Sequence, residues 1–186
     1  MRRDMATGSS TPEAVAERVR ARLRDVQDFP KPGIVFKDIT PVLSDARLFA
    51  EVIAAMAEPF RSRQITHIAA IESRGFLLAA PLALALGAGV IPIRKPGKLP
   101  ARTASRAYGL EYGTDRLEVH VDACPARSRI LLVDDVLATG GTAEAAAELI
   151  EEVGGTVVAC AFLLSIGSLG GKKRLAGRET RVLVPT

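Results

Sequence analysis

The stretch from Ile130 to Thr142, ILLVDDVLATGGT, constrains the fold more than any other part of the chain. An unbroken apolar run ends in two acids, Asp134 and Asp135. Two apolar residues follow, then a small turn rich in glycine and threonine, Ala138 to Thr142, and a helix-forming segment, Ala143 to Val153. An apolar run without alternation suits a strand buried on both faces, and such strands belong to parallel sheets covered by helices. Glycines let a backbone approach a ligand closely, and the free N–H groups of a helix start attract an anion. Paired acids accept hydrogen bonds from sugar hydroxyls or hold a metal. A buried strand with an ordinary polar turn would account for the glycines alone. The acid pair together with Thr139 and Thr142 points to a sugar phosphate.

The rest of the chain agrees with an α/β fold. Thr11 to Val26 reads as a helix, with Thr11 as cap, Pro12 in the first turn and Val15, Val19, Leu23 and Val26 on one stripe. Phe29 to Phe36 holds Pro30, Pro32 and Gly33 and is predicted to be an extended loop. Asp45 to Phe60 is predicted helical. Strands are then expected at Ile65–Ile71, Val90–Arg94, Arg129–Val133, Thr156–Leu164 and Arg181–Val184, with helices at Gly75–Leu86 and Thr142–Val153 between them. Alternating strands and helices imply a parallel sheet, whose ligands bind beyond the carboxyl ends of the strands. Lys98 to His120 is polar, carries Tyr108 and Tyr112, and alternates weakly at Leu117, Val119 and Val121. It reads as a long flap with hairpin character, and long insertions at a ligand-facing edge are usually functional.

Composition narrows the partners. At 186 residues the chain is sized for one domain, residues 11–186, behind a loose, disordered tail of residues 1–10. Only 4% of residues are aromatic, so the core must be built from Ala, Val, Leu and Ile. A net charge of +4 suits an acidic ligand such as a polyphosphate, whereas the scatter of the basic residues argues against nucleic acid. Cys124 and Cys160 have no pairing pattern, which fits a reducing cytoplasm, and His67 and His120 have no metal-ligand spacing. Residues 1–10 lack the apolar core of a signal peptide. Gly75 to Ile93 is uncharged and nearly long enough to span a membrane, but Pro81, Gly87, Gly89 and Pro92 break it, so no membrane association is expected.

Four further strings carry chemistry. Glu72-Ser73-Arg74-Gly75 follows a strand and opens a helix, where Arg74 is either an ordinary surface cation or a planar fork for phosphate. Arg94 to Pro100 gathers three cations at a strand end, either a solvated charge run or an anion site. Glu111, in Leu110-Glu-Tyr-Gly113, reads by itself as an exposed loop acid. Phe29 to Pro41, FPKPGIVFKDITP, reads by itself as a proline-rich loop packing two aromatics on the core.

Taken together, these strings resemble the adenine phosphoribosyltransferases of the type I phosphoribosyltransferase family. The Ile130–Thr142 string is similar, at all thirteen positions, to the family's signature for phosphoribosyl diphosphate (PRPP). The likeness spans about Val26 to Leu175. It implies a twisted parallel sheet flanked by helices, with a small hood, largely residues 26–41, and a flexible flap, residues 97–120. It implies that Ala138, Thr139, Gly140, Gly141 and Thr142 hold the 5′-phosphate and that Asp134 and Asp135 face the ribose hydroxyls. Ser73, Arg74, Lys95 and Lys98 would hold the diphosphate, with a cis peptide at Glu72–Ser73. Phe36 and Ile166 would cover the two faces of the base, while main-chain groups of Val35 and Lys37 read its edge. Glu111 would be the general acid/base, desolvated as the flap closes, which raises a carboxyl pKa toward a useful value.

The implied reaction is adenine plus PRPP giving AMP plus diphosphate, in a cytoplasmic homodimer. Mg²⁺ would arrive chelated by PRPP, since the sequence offers no dedicated metal cage. Ser165 stands where many relatives carry an acid, and Gly167 and Gly170 loosen the next turn, which bears on the far wall of the base pocket. Two other readings remain open. One is a phosphoribosyltransferase for guanine, xanthine or orotate, against which the N-terminal loop argues. The other is a PRPP-sensing regulator that binds nucleic acid, which would need a basic stripe absent here.

Overall fold

A computed structural model of the chain describes residues 11–110 and 113–186. Helix α1 (Pro12–Arg22) begins as predicted: the Thr11 hydroxyl accepts from the Ala14 N–H at 3.3 Å and Pro12 takes the first turn. It stops short of the predicted Val26. Arg24–Gln27 forms strand β1 instead, antiparallel to β2 (Val35–Asp38). The cause lies across the hairpin. Arg24 faces Asp38 and Asp25 faces Lys37, and both pairs close as ion pairs at 2.7 and 2.8 Å. Opposite charges directly across two strands favour the ladder over one more helical turn. The loop expected at Phe29–Phe36 is therefore the turn of this hairpin and the start of its second strand.

A short helix, α2 (Thr40–Leu43), leads to α3 (Ala46–Ala57). Asp45 caps α3 by accepting from the Leu48 N–H at 3.1 Å, and a 3₁₀ turn extends it to Phe60. Then follow β3 (His67–Ile71), α4 (Arg74–Leu86), β4 (Gly89–Ile93), β5 (Thr103–Leu110), β6 (Gly113–His120), β7 (Arg129–Leu137), α5 (Gly141–Glu152), β8 (Thr156–Ser165), α6 (Gly171–Arg174) and β9 (Thr180–Pro185). The flap segment is an antiparallel hairpin, β5 against β6, in keeping with its weak alternation.

The main sheet has the order β4-β3-β7-β8-β9 and every neighbouring pair is parallel. From β3 the chain moves outward to β4, then returns to the other side of β3 with β7. This reversal opens a crevice at the carboxyl ends of β3 and β7, the ordinary ligand position in open α/β sheets. Strand β7 was predicted to end at Val133 but runs to Leu137, because β8 stays beside it as far as Ser165. Strand β3 accompanies β7 only to Val133. Asp134 and Asp135 therefore lie within the strand, where its β3 side has lost its neighbour.

Side chains alternate across the sheet with period two. Ile68, Ala70, Leu131 and Val133 pack with residues of α1, α3 and α4. Ala69, Ile71, Ile130 and Leu132 pack with α5 and with Tyr108, Leu117 and Val119 of the β5–β6 hairpin. Helices cover both faces, as expected, and the hairpin completes the second layer. Among the described residues no helix is long and apolar enough to cross a membrane.

Candidate functional site

The crevice brings together segments far apart in the chain. At its centre, Asp135 is buried and Asp134 half-buried at the end of β7. The Asp135 N–H donates to Asp134 Oδ1 at 2.9 Å, and Arg74, at the first turn of α4, forms an ion pair with Asp135. Removal from water pushes the Asp134 carboxyl well above the usual carboxylate range, and the neighbouring charge of Asp135 adds to this. Gly75 allows the approach: a Cβ there would stand 3.0 Å from Asp134 Oδ1 and 3.1 Å from the Val133 carbonyl. The Arg74 guanidinium also lies 5.1 Å from the centroid of the Phe36 ring. The ring packs edge-on against Phe29 at 5.2 Å. The N-terminal hairpin is thus placed beside the acid pair.

Beyond Leu137 the chain makes the small turn and enters α5. Gly140 adopts φ +84°, and a Cβ there would meet the Gly171 carbonyl at 2.8 Å. Gly171 in turn leaves no room: its Cβ would lie 2.3 Å from the Ala138 carbonyl. The first N–H groups of α5 have no intrahelical partner and open toward the turn. Gly140 and Gly141 are buried, Ala138 and Thr142 half-buried, and Thr139 exposed. Arg174 of α6 pairs with Glu144 in the first turn of α5 at 2.6 Å.

On the β3 side, the Glu72–Ser73 peptide is cis, as the resemblance to the family implies. Glu72 is the hub of this corner. Its carboxylate accepts from Arg94 Nε at 3.0 Å, from the Lys95 N–H at 2.8 Å and from Lys98 Nζ at 2.5 Å. Burial by itself would raise the Glu72 carboxyl. The donors from Lys98, Lys95 and Arg94 outweigh burial and hold it below the usual range. Lys95 Nζ turns the other way, to Tyr108 Oη at 2.9 Å and to the Asp115 carboxylate on the β5–β6 hairpin.

The structure therefore gathers Ser73, Arg74, Lys95 and Lys98 at one corner, Asp134 and Asp135 at the centre, and Ala138–Thr142 beside them. Val35, Phe36 and Lys37 lie on β2, with the Lys37 side chain engaged by Asp25 at 2.8 Å. Ile166 follows β8, its N–H bonded to the Leu137 carbonyl at 2.9 Å. Glu111, with Tyr112, lies outside the described residues, as do residues 1–10. Sequence reasoning passed over Glu72, Tyr108, Asp115 and Gly171. Glu72 stood in a string already singled out, whereas the others depend on register and packing that no local pattern encodes. Among the described residues no group of three or more His, Cys, Asp or Glu is placed to hold a metal.

Comparison with known proteins bears on this geometry. The family model for the phosphoribosyl transferase domain matches residues 40–180. The chain is 58% identical over 171 residues to the adenine phosphoribosyltransferase of Myxococcus xanthus (strain DK1622), covering 92% of each chain. The crystal structure of adenine phosphoribosyltransferase from Thermoanaerobacter pseudethanolicus is similar with a TM-score of 0.89 at 50% identity, covering 92% of this chain and 99% of that one. The Saccharomyces cerevisiae adenine phosphoribosyltransferase, solved with an imino-altritol bisphosphate and adenine, is similar with a TM-score of 0.87 at 36% identity, over 92% and 99% of the two chains.

Proposed function

The chain belongs to the phosphoribosyl transferase domain family, and we propose that it is an enzyme transferring the 5-phosphoribosyl group of PRPP to adenine, releasing diphosphate and AMP. The observation that carries this reading is the position of Arg74, which touches both the Asp135 carboxylate and the Phe36 ring. It joins a base-stacking segment to a ribose-binding acid pair across the crevice. In the reaction the bond from adenine N9 to ribose C1′ forms as the C1′–oxygen bond breaks, and the electron pair leaves with diphosphate. The chain supplies position and charge: the turn of Ala138–Thr142 for the 5′-phosphate, Asp134 and Asp135 for the ribose hydroxyls, and Ser73, Arg74, Lys95 and Lys98 for the diphosphate. Mg²⁺ would come with PRPP and would supply charge neutralisation for the leaving diphosphate. The N-terminal hairpin serves as the hood over the base and the β5–β6 hairpin as the flap. A cytoplasmic homodimer is part of the proposal, supported by family likeness and open to light scattering.

Formation of AMP from adenine, PRPP and Mg²⁺, followed by chromatography, tests the reading. Activity only with guanine, xanthine or orotate would overturn it in favour of another base. Asp134→Asn and Asp135→Asn are each expected to raise the KM for PRPP while the protein stays folded. Unchanged kinetics in both would remove the acids from the ribose site. Gly171→Ala pushes a methyl group onto the Ala138 carbonyl and must shift the turn. A displacement near 1 Å in a positioning element costs up to about 100-fold, so PRPP kcat/KM should fall by roughly tenfold or more. Full efficiency in this variant would show that the turn does not hold the phosphate.

A further inference from the structure

Four cations surround the diphosphate corner, and each faces a carboxylate. Arg74 pairs with Asp135, Arg94 and Lys98 pair with Glu72, and Lys95 pairs with Asp115. Asp135 and Glu72 belong to the sheet and loops that build the site. Asp115 comes from elsewhere, on β6, directly across the hairpin from Tyr108. Tyr108 Oη donates to Asp115 Oδ2 at 3.0 Å and accepts from Lys95 Nζ at 2.9 Å, and the ammonium stands 5.4 Å from the ring centroid. Tyr108 is only 7% exposed, so its hydroxyl is a fixed point.

The hairpin does not need this clamp for its seat. Arg94 and Glu118 exchange main-chain hydrogen bonds at 2.9 and 2.8 Å, and the Glu118 carboxylate accepts from the Gly97 N–H at 3.0 Å. Leu117 and Val119 are fully buried beneath it. Releasing Lys95 therefore leaves the hairpin in place. Burial would lower the Lys95 ammonium, but Asp115 and Tyr108 more than offset this and keep it above the ordinary lysine value. An ammonium has three donors. Two are spent on the hairpin, and the adjacent carboxylate offsets much of the charge that an incoming diphosphate would feel.

Resting on the PRPP reading above, we propose that Asp115 is an internal substitute for diphosphate on Lys95. It neutralises the lysine in the free protein, yields it to the ligand's diphosphate, and reclaims it as the product leaves. Asp115 acts through Lys95 and is a positioning residue that sets how tightly diphosphate is held. Without it Lys95 would hold a polyanion more firmly, so its removal tightens binding where loss of an ordinary structural contact would weaken it.

The test is calorimetric titration of the full chain with inorganic diphosphate and Mg²⁺, with thermal melting to confirm folding. Asp115→Asn is expected to lower the Kd by roughly fivefold, the upper span of a partly exposed ion pair. Asp115→Ser, read in the same way, serves if the Asn variant does not fold. Glu152→Gln removes an equal charge that pairs with Arg106 of the same hairpin at 3.0 Å, away from Lys95, and is expected to leave the Kd unchanged. A Kd that stays the same or rises in the folded Asp115 variants overturns the proposal. Equal tightening by Glu152→Gln overturns it too, since net charge would then suffice. AMP formation by the parent is read alongside. Diphosphate binding without AMP formation would sink the transferase reading and leave the titration meaningful. AMP formation without tightening would sink this inference alone.

Discussion

Glu111→Gln is expected to lower kcat for AMP formation by roughly 10²–10⁴, the usual span of general acid–base catalysis, with a smaller change in the KM for adenine. The expectation rests on the Leu110-Glu-Tyr-Gly113 string and its likeness to the family's flap. Adenine must lose a proton to attack C1′, and in the reverse direction the purine leaves as an anionic ring that a proton neutralises. A carboxyl delivered by the hairpin can serve both directions. The described strands on either side of Glu111 support that delivery. Leu117 and Val119 fix the hairpin to the sheet, and the Gly109 carbonyl lies so near Gly141 that a Cβ there would come within 3.3 Å of it. The hairpin therefore stands directly against the turn assigned to the 5′-phosphate. The measurement is kcat for parent and variant across pH. Near-full kcat in Glu111→Gln at every pH would return this residue to a solvated loop acid.

The parts of the site that were legible in the sequence are those in which one continuous string encodes strand, turn and helix together. Ile130–Thr142 is such a string, and so is Glu72-Ser-Arg-Gly75, since the residues assigned to the ligand are also those that break a regular element. What stayed hidden required a second segment. Val26 continues a helical stripe, and only the charge pairs Arg24–Asp38 and Asp25–Lys37 across the hairpin turn it into a strand residue. The extension of β7 to Leu137 depends on β8 remaining alongside it. Asp115 and Tyr108 are separated by seven positions and become neighbours only through the hairpin register. Gly171 carries no signal of its own beside Gly170, yet it is the tightest glycine at the site because α6 returns onto the Ala138 carbonyl.

The enzyme is expected to prefer adenine over hypoxanthine by about 10⁴ or more in kcat/KM, chiefly through the main chain of β2. The Ile34 carbonyl accepts from the Phe29 N–H at 3.3 Å, across the hairpin. Main-chain groups of Val35 and Lys37 on β2, whose one partner strand among the described residues is β1, are assigned to the edge of the base by likeness to the family. Adenine offers an amino donor at C6 and an acceptor at N1. Hypoxanthine offers an oxygen at C6 and a donor at N1, so both contacts become mismatched and the protein's own polar groups lose their partners. Phe36 and Ile166, proposed to cover the two faces of the base, would pack on any purine ring and add affinity without discrimination. The same ring also carries the Arg74 guanidinium at 5.1 Å, so Phe36→Ala should weaken PRPP use as well as base binding. It should weaken adenine and hypoxanthine alike, and the ratio between them should survive. The measurement is kcat/KM for both bases in the parent and in Phe36→Ala, at saturating PRPP. Comparable efficiency on hypoxanthine in the parent would refute the base assignment. A ratio that collapses in Phe36→Ala would show instead that ring packing, rather than the main chain of β2, sets the choice of base.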